Sequence, residues 1–253
     1  MIEARLAIAF LTRLPLGTPQ GSARQHAAST RYFPLVGGVL AVLVVAALLV
    51  GSWFFDRNAG CVMALVAWVW LTGGLHLDGL GDCIDGIATE GSSAKRLQAM
   101  HDPRIGGLGA VGLVLWILLK LALIARCVDA GTIAQAVWCA LVFARAPAAF
   151  ELAEGEPATA GQGMFAWLHA EMRTADWVIA ILVAIALLTP AVAPMGTLLA
   201  RAAVGVVAGS MCTLVWHLGW YKRIGGLNGD VLGGAIEIRE VVMLAAMGIQ
   251  LPW

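Results

Sequence analysis

"CVMALVAWVWLTGGLHLDGLGDCIDG", residues 61–86, changes character halfway along. Its first part, Cys61–Leu75, is almost entirely apolar, as a membrane-crossing helix must be. Its second part brings Asp78, Asp82 and Asp85 within eight residues. Carboxylates are costly beside a membrane and repel one another at short range. The first half sets the fold class. The second half asks what compensates the charge.

The rest of the chain agrees with the first half. Of its 253 residues, 60% are hydrophobic and 13% charged. An ordinary soluble domain is about 45–50% apolar and about 25% charged. The expected fold is all-α, a polytopic integral membrane helix bundle forming one domain over 1–253. The net charge of zero, with no basic domain, argues against a nucleic-acid partner. The 5 cysteines are scattered without a Cys-x-x-Cys pair, so neither a disulfide framework nor a zinc site is indicated.

Apolar length gives seven candidate spans: 33–55, 60–77, 107–125, 131–150, 176–193, 197–219 and 231–250. The last is interrupted by Glu237, Arg239 and Glu240. The N-terminal segment 1–32 has an apolar run too short to span and reads as an interfacial amphipathic segment, not a cleaved signal. With the N-terminus in the cytoplasm, ten of the 16 Lys and Arg residues fall inside: Arg5, Arg13, Arg24, Arg31, Lys95, Arg96, Arg104, Arg173, Lys222 and Arg223. Only Arg57 and Arg126 fall outside, and Lys120, Arg145, Arg201 and Arg239 lie within spans. That asymmetry is the positive-inside pattern. It predicts a multi-pass membrane protein with its C-terminus outside. The motif loop 78–106 and the segment 220–230 then share the cytoplasmic face.

Asp78, Asp82 and Asp85 are spaced at i, i+4 and i+7, one stripe of a helix. Clustered carboxylates call for a cation, and Mg²⁺ suits hard oxygen ligands and substrate phosphates. Asp230 opens the C-terminal motif "GGLNGDVLGGAIEIRE" (225–240) and shares a helical face with Glu237 and Glu240, while Asn228 adds a neutral oxygen. Asp78, Asp82, Asp85 and Asp230 are the expected metal ligands. In "MHDPRIGGLGAVGL" (100–113), Arg104 follows Asp102 and precedes a glycine-rich helix start, a plausible seat for an anion. His76 is positioned for phosphate binding or proton transfer. Asp82, His76 and Arg104 are the expected catalytic residues. Asp102, Arg104, Asn228, Asp230, Glu237 and Glu240 are the expected substrate contacts. Glu237 and Glu240 have a second reading, internal pairing with Arg239, Arg145 or Arg201.

These stretches, with "FLTRLPL" (10–16) and "RYFPLVGGVLA" (31–41), resemble in order the motifs of the cobalamin synthase family, the adenosylcobinamide-GDP ribazoletransferases. The likeness covers nearly the whole chain. It implies a Mg²⁺-dependent membrane enzyme that joins adenosylcobinamide-GDP to α-ribazole, or its 5′-phosphate, and releases GMP. Two positions differ from the family pattern. "EPATAGQGMFAW" (156–167) has no Arg where members often place one, and Asn228 stands where many have Thr. The alternatives are a CDP-alcohol phosphotransferase, whose Ala-Arg pair "DGLGDCIDG" lacks, and an ion-coupled transporter, whose inverted repeat is not evident. A homo-oligomer is compatible with the sequence.

Overall fold

The computed structural model describes residues 2–15, 17, 19–159, 161–192 and 196–249. Over these the chain is helical, in the order α1 (Ile2–Leu11), α2 (Ala23–Ser29), α3 (Phe33–Phe54), α4 (Arg57–Thr72), α5 (Leu75–Ala88), α6 (Ser93–Met100), α7 (Gly107–Asp129), α8 (Ile133–Glu154), α9 (Gly163–His169), α10 (Thr174–Val192), α11 (Gly196–Ile224) and α12 (Gly229–Met247). A single 3-10 turn, Thr30–Tyr32, joins α2 to α3. The ends of the expected spans 176–193 and 231–250, residues 193 and 250, lie outside the described residues.

Five helical segments are long and apolar enough to cross a membrane: Ala23–Phe54, Gly107–Asp129, Ile133–Glu154, Thr174–Val192 and Gly196–Ile224. Large apolar side chains such as Val42, Leu49, Leu118, Leu182 and Val215 stand exposed on them, as a lipid-facing surface requires. Two expected spans do not meet the test on their own. α4 has only 16 residues, and α12 carries Asp230, Glu237, Arg239 and Glu240. α4 meets it only together with α5, across a bend of 86°.

The bend has a local cause. Gly73 and Gly74 both take left-handed φ, 64° and 69°, which side chains with a Cβ rarely adopt. Arg13 holds the corner from outside, donating its backbone N–H to Leu71 O at 2.8 Å and laying its side chain over Gly73. The N-terminal segment is therefore part of the bundle. Leu6, Ala7 and Leu11 of α1 are buried, and Phe10 stacks on Phe33 of α3 at 5.7 Å.

Beyond the corner, α5 lies across the N-terminal ends of α7 and α12. Gly81 and Ile84 face Leu113 and Gly112 of α7, and Gly79 meets the backbone of Asp230 in α12. The aspartate stretch thus caps the end of the bundle rather than continuing the span before it. The stretch read as a loop, 78–106, is largely helical, holding most of α5 and all of α6.

α12 is the central helix, packed on α11, α5, α8 and α7. Fourteen of its 19 residues are buried. Its charges therefore face protein, which removes the need for an apolar surface. Small residues set the close approaches: Gly234 lies under the Trp216 ring of α11, and Gly205 lies against Met243.

Candidate active site

The site is built where α5 crosses α12. Gly79 lies against the Asp230 backbone, and Gly233 lies against the backbone of His76. A Cβ at Gly79 would come within 2.9 Å of Asp230 Cα, so only glycine permits this crossing. The crossing brings two acidic motifs, some 150 residues apart in the chain, to one place.

Asp230 is held from its own helix end. Asn228 is the N-cap of α12, accepting from Val231 N–H at 2.9 Å and donating through Nδ2 to Asp230 Oδ2 at 3.1 Å. The loop before it is tied to the chain after α8. Ala158 N–H donates to Leu227 O, and Leu227 N–H to Glu156 O, both at 2.8 Å. Asn228 was expected to contact substrate, and in the structure its side chain caps the helix and positions Asp230.

Three cavities open around the crossing. One of about 370 Å³ is walled by Asp78, Asp82, His101 and Asp102. A neighbour of about 320 Å³ has Asp85, Thr89, Asp102 and Arg104 on its rim. A mainly apolar one of about 170 Å³ has His76, Asp78 and Asp230 as its polar groups. Asp78 faces the first and the third. Partial burial, with Asp230, Asp78 and Asp85 nearby, pushes the Asp82 carboxyl up to about 7. The four aspartates are thus close enough to feel one another.

They do not form one ligand set. Among the described residues, no three His, Cys, Asp or Glu side chains converge closely enough to hold a metal ion. Asp85 is the reason the stripe divides. Its Oδ2 accepts from Gly106 N–H at 2.7 Å and its Oδ1 from Gly109 N–H at 2.8 Å. It occupies the N-terminus of α7, the position expected to seat a substrate anion. Arg104 is not directed there either. It forms a bidentate pair with Asp102, at 3.0 and 2.8 Å, with its side chain 86% exposed. That pairing holds the Asp102 carboxyl down at about 2.

Glu237 and Glu240 lie deeper, about 10 and 15 Å along α12 from Asp230. The structure places them in a buried ion network instead of at the cavities. Lys120 Nζ of α7 reaches Glu237 at 2.9 Å and Glu240 at 2.5 Å. Trp116 Nε1 donates to Glu237 at 2.9 Å, and Arg145 of α8 pairs with Glu240 at 2.8 Å. Arg239 pairs with Glu151 of α8, and Arg201 donates to Met247 O at 3.4 Å. The internal-pairing reading of the two glutamates is the one the geometry follows, with Arg145 but without Arg201 or Arg239. Their main partner is Lys120, which the sequence marked only as a cation inside a span. Its pairing depends on how α7 packs against α12, which no local pattern carries. His101 was also missed, although it sits inside a quoted motif beside Asp102.

Fold and site together define a polytopic helical membrane protein with an acidic, cavity-lined centre at one end of its bundle. The chain belongs to the cobalamin-5-phosphate synthase family, whose model matches residues 3–248. It is similar to proteins named adenosylcobinamide-GDP ribazoletransferase. The one from Roseiflexus sp. (strain RS-1) is 33% identical over 97% of this chain and 89% of its own length. Those from Ectopseudomonas mendocina (strain ymp) and Laribacter hongkongensis (strain HLHK9) are 34% and 35% identical, over 99% and 98% of this chain and 100% and 97% of theirs. No solved structure matches the chain significantly.

Proposed function

We propose that this chain catalyses the reaction for which its curated relatives are named, transfer of a ribazole onto adenosylcobinamide-GDP, as one of the last steps of cobalamin biosynthesis. The observation that carries the reading is the α5–α12 crossing, which sets Asp78, Asp82 and Asp230 beside cavities at the end of the bundle. In the reaction a ribazole hydroxyl attacks the phosphorus bonded to cobinamide. A new P–O bond forms, the P–O bond to GMP breaks, and the hydroxyl loses its proton.

The donor set fits Mg²⁺. Asp82, Asp78 and Asp230 offer hard oxygens, and burial, with repulsion from its neighbours, raises the Asp82 carboxyl. One or two carboxylates suffice, since Mg²⁺ keeps waters and phosphate oxygens in its shell. We assign it to one or two of Asp78, Asp82 and Asp230, and give Asp85 the α7 cap. When bound, the ion would neutralise diphosphate oxygens and ease departure of GMP. Arg104 stands on the rim of a neighbouring cavity, where its exposed guanidinium can exchange Asp102 for a phosphate oxygen. His76, walled into the apolar cavity beside Asp78 and Asp230, is placed to orient the acceptor hydroxyl or take its proton. The bacterial inner membrane, with the site on the cytoplasmic side, completes the reading.

Purified protein with Mg²⁺, adenosylcobinamide-GDP and α-ribazole should release GMP, and replacing the ribazole by its 5′-phosphate decides which acceptor is used. No GMP with either acceptor overturns the assignment.

A further inference from the structure

The apolar cavity at the crossing is built from parts of the chain far apart in sequence. Phe10 comes from α1, Phe33 from α3, Leu152 from α8, Phe165 and Leu168 from α9, and Ile236 from α12. All six are buried. His76, Asp78 and Asp230 are its only charged or polar side chains among the described residues, and α5 and α12 supply them. An apolar lining with a few polar groups that fix orientation is the usual build of a small-molecule pocket.

Resting on the proposed function, we propose that this cavity seats the aromatic base of the ribazole acceptor, with its ribose directed at Asp78 and Asp230. Size supports the choice. An apolar cavity of about 150 Å³ accommodates a benzene-sized ring. This one, at about 170 Å³ and partly open, admits a flat bicyclic azole but not a corrin. Chemistry separates the base from guanine, the other flat ring in the reaction. Guanine carries donors and acceptors around most of its edge. Two aspartates could take its donors, but its acceptors would face phenylalanine and leucine walls, and buried polar atoms without partners are costly. An azole base with an apolar benzenoid edge leaves no such atom. The cavity also explains the chain after α8. The stretch without the expected arginine supplies α9, whose Phe165 and Leu168 close the cavity with apolar surface.

The test uses the full chain in lipid nanodiscs with Mg²⁺. GMP release by the unaltered protein checks the reaction itself, so its absence counts against the assigned activity and not against the subsite. Ribazole binding is then measured by equilibrium dialysis without adenosylcobinamide-GDP. Leu168→Trp fills the cavity. It should weaken ribazole binding about tenfold or more and raise KM for ribazole equally, with KM for adenosylcobinamide-GDP within about twofold. Phe165→Ala enlarges the cavity and should admit a tricyclic azole riboside that the unaltered protein refuses. An acceptor series on the unaltered protein decides the matter even if neither variant folds. Ribosides of benzenoid azoles should bind at least about tenfold more tightly than ribosides of purines. Equal binding across that series overturns the proposal. So does a Leu168→Trp effect that falls on adenosylcobinamide-GDP, or displacement of ribazole by GDP.

Discussion

Asp82 is the residue on which the proposed chemistry turns, because burial, with three carboxylates nearby, raises its carboxyl to about 7. Asp82→Asn should abolish GMP release while the protein still inserts and folds, and near-normal turnover at saturating Mg²⁺ would remove it as an essential ligand. The same residue gives a pH dependence. Its carboxyl is raised from 3.8 to about 7, so the folded state holds that proton more tightly than the unfolded chain. The sign follows from linkage. Its stabilising contribution is complete below about pH 4 and is lost as pH rises through about 7. Melting temperature of the metal-free protein should therefore fall across that window, and Asp82→Asn should flatten the fall. A bound cation competes with the proton, so half-saturation in Mg²⁺ should need less metal at pH 8 than at pH 6. A Mg²⁺ requirement independent of pH would argue that Asp82 is not a ligand. Asp230→Asn should cost as much activity as Asp82→Asn, and the double variant far less than the product, since residues acting as one unit are non-additive.

Among the elements, α7 and α12 depend on charges that other helices provide. Asp85 of α5 satisfies two N–H groups at the start of α7, a cap supplied from another helix. Asp85→Ala should destabilise the protein by about 1–2 kcal/mol, the range for a lost N-cap. A thermal-shift comparison with Asp85→Asn, which keeps one acceptor, reads this out. α12 depends on Lys120. Lys120→Met would leave Glu237 without its ion-pair partner and Glu240 with Arg145 alone among the described residues, so this change should cost about 3–5 kcal/mol, the range for breaking a buried pair. Glu237→Gln should reduce folded yield more than turnover per folded molecule. Turnover collapsing at normal yield would instead place Glu237 at the chemistry.

At the scale of the whole molecule, two ends can be traced through contacts. At one end Arg13 meets Leu71, Arg24 pairs with Asp176, Gly79 meets Asp230, Asp85 caps Gly106, and Leu227 bridges to the chain around Pro157. At the other, Arg57 reaches Ala125 and Asp129, and Thr132 donates to Met247 O. The apolar runs made the bundle legible, and the i, i+4, i+7 aspartates made the acidic site legible, because both are local patterns. Long-range packing was not legible: the Gly73–Gly74 corner that turns α5, the capture of Asp85 by α7, and the closure of a cavity by α9. The count of crossings shows the same division. Five segments qualify by length and apolarity. α4 and α12 run between the same two ends, and at about 1.5 Å per residue the 19 residues of α12 extend about 28 Å, close to the thickness of a bilayer core. Burial rather than apolar surface equips α12 for that depth. The ten Lys and Arg residues expected inside all belong to segments at the site end, and Arg57 and Arg126 to the other. On the proposed orientation this bias predicts that the site end is cytoplasmic. Reporter fusions within 88–99 should therefore be cytoplasmic, and fusions after Trp253, which lies outside the described residues, should be on the far side. If both report the same side, one of the five long helices between the two fusions, α7, α8, α10, α11 or α12, does not cross, and the count of seven spans fails. If the two are opposite but inverted, the odd number of crossings between them stands, the cytoplasmic placement of the site fails, and nucleotide-activated cobinamide could not reach it from inside the cell.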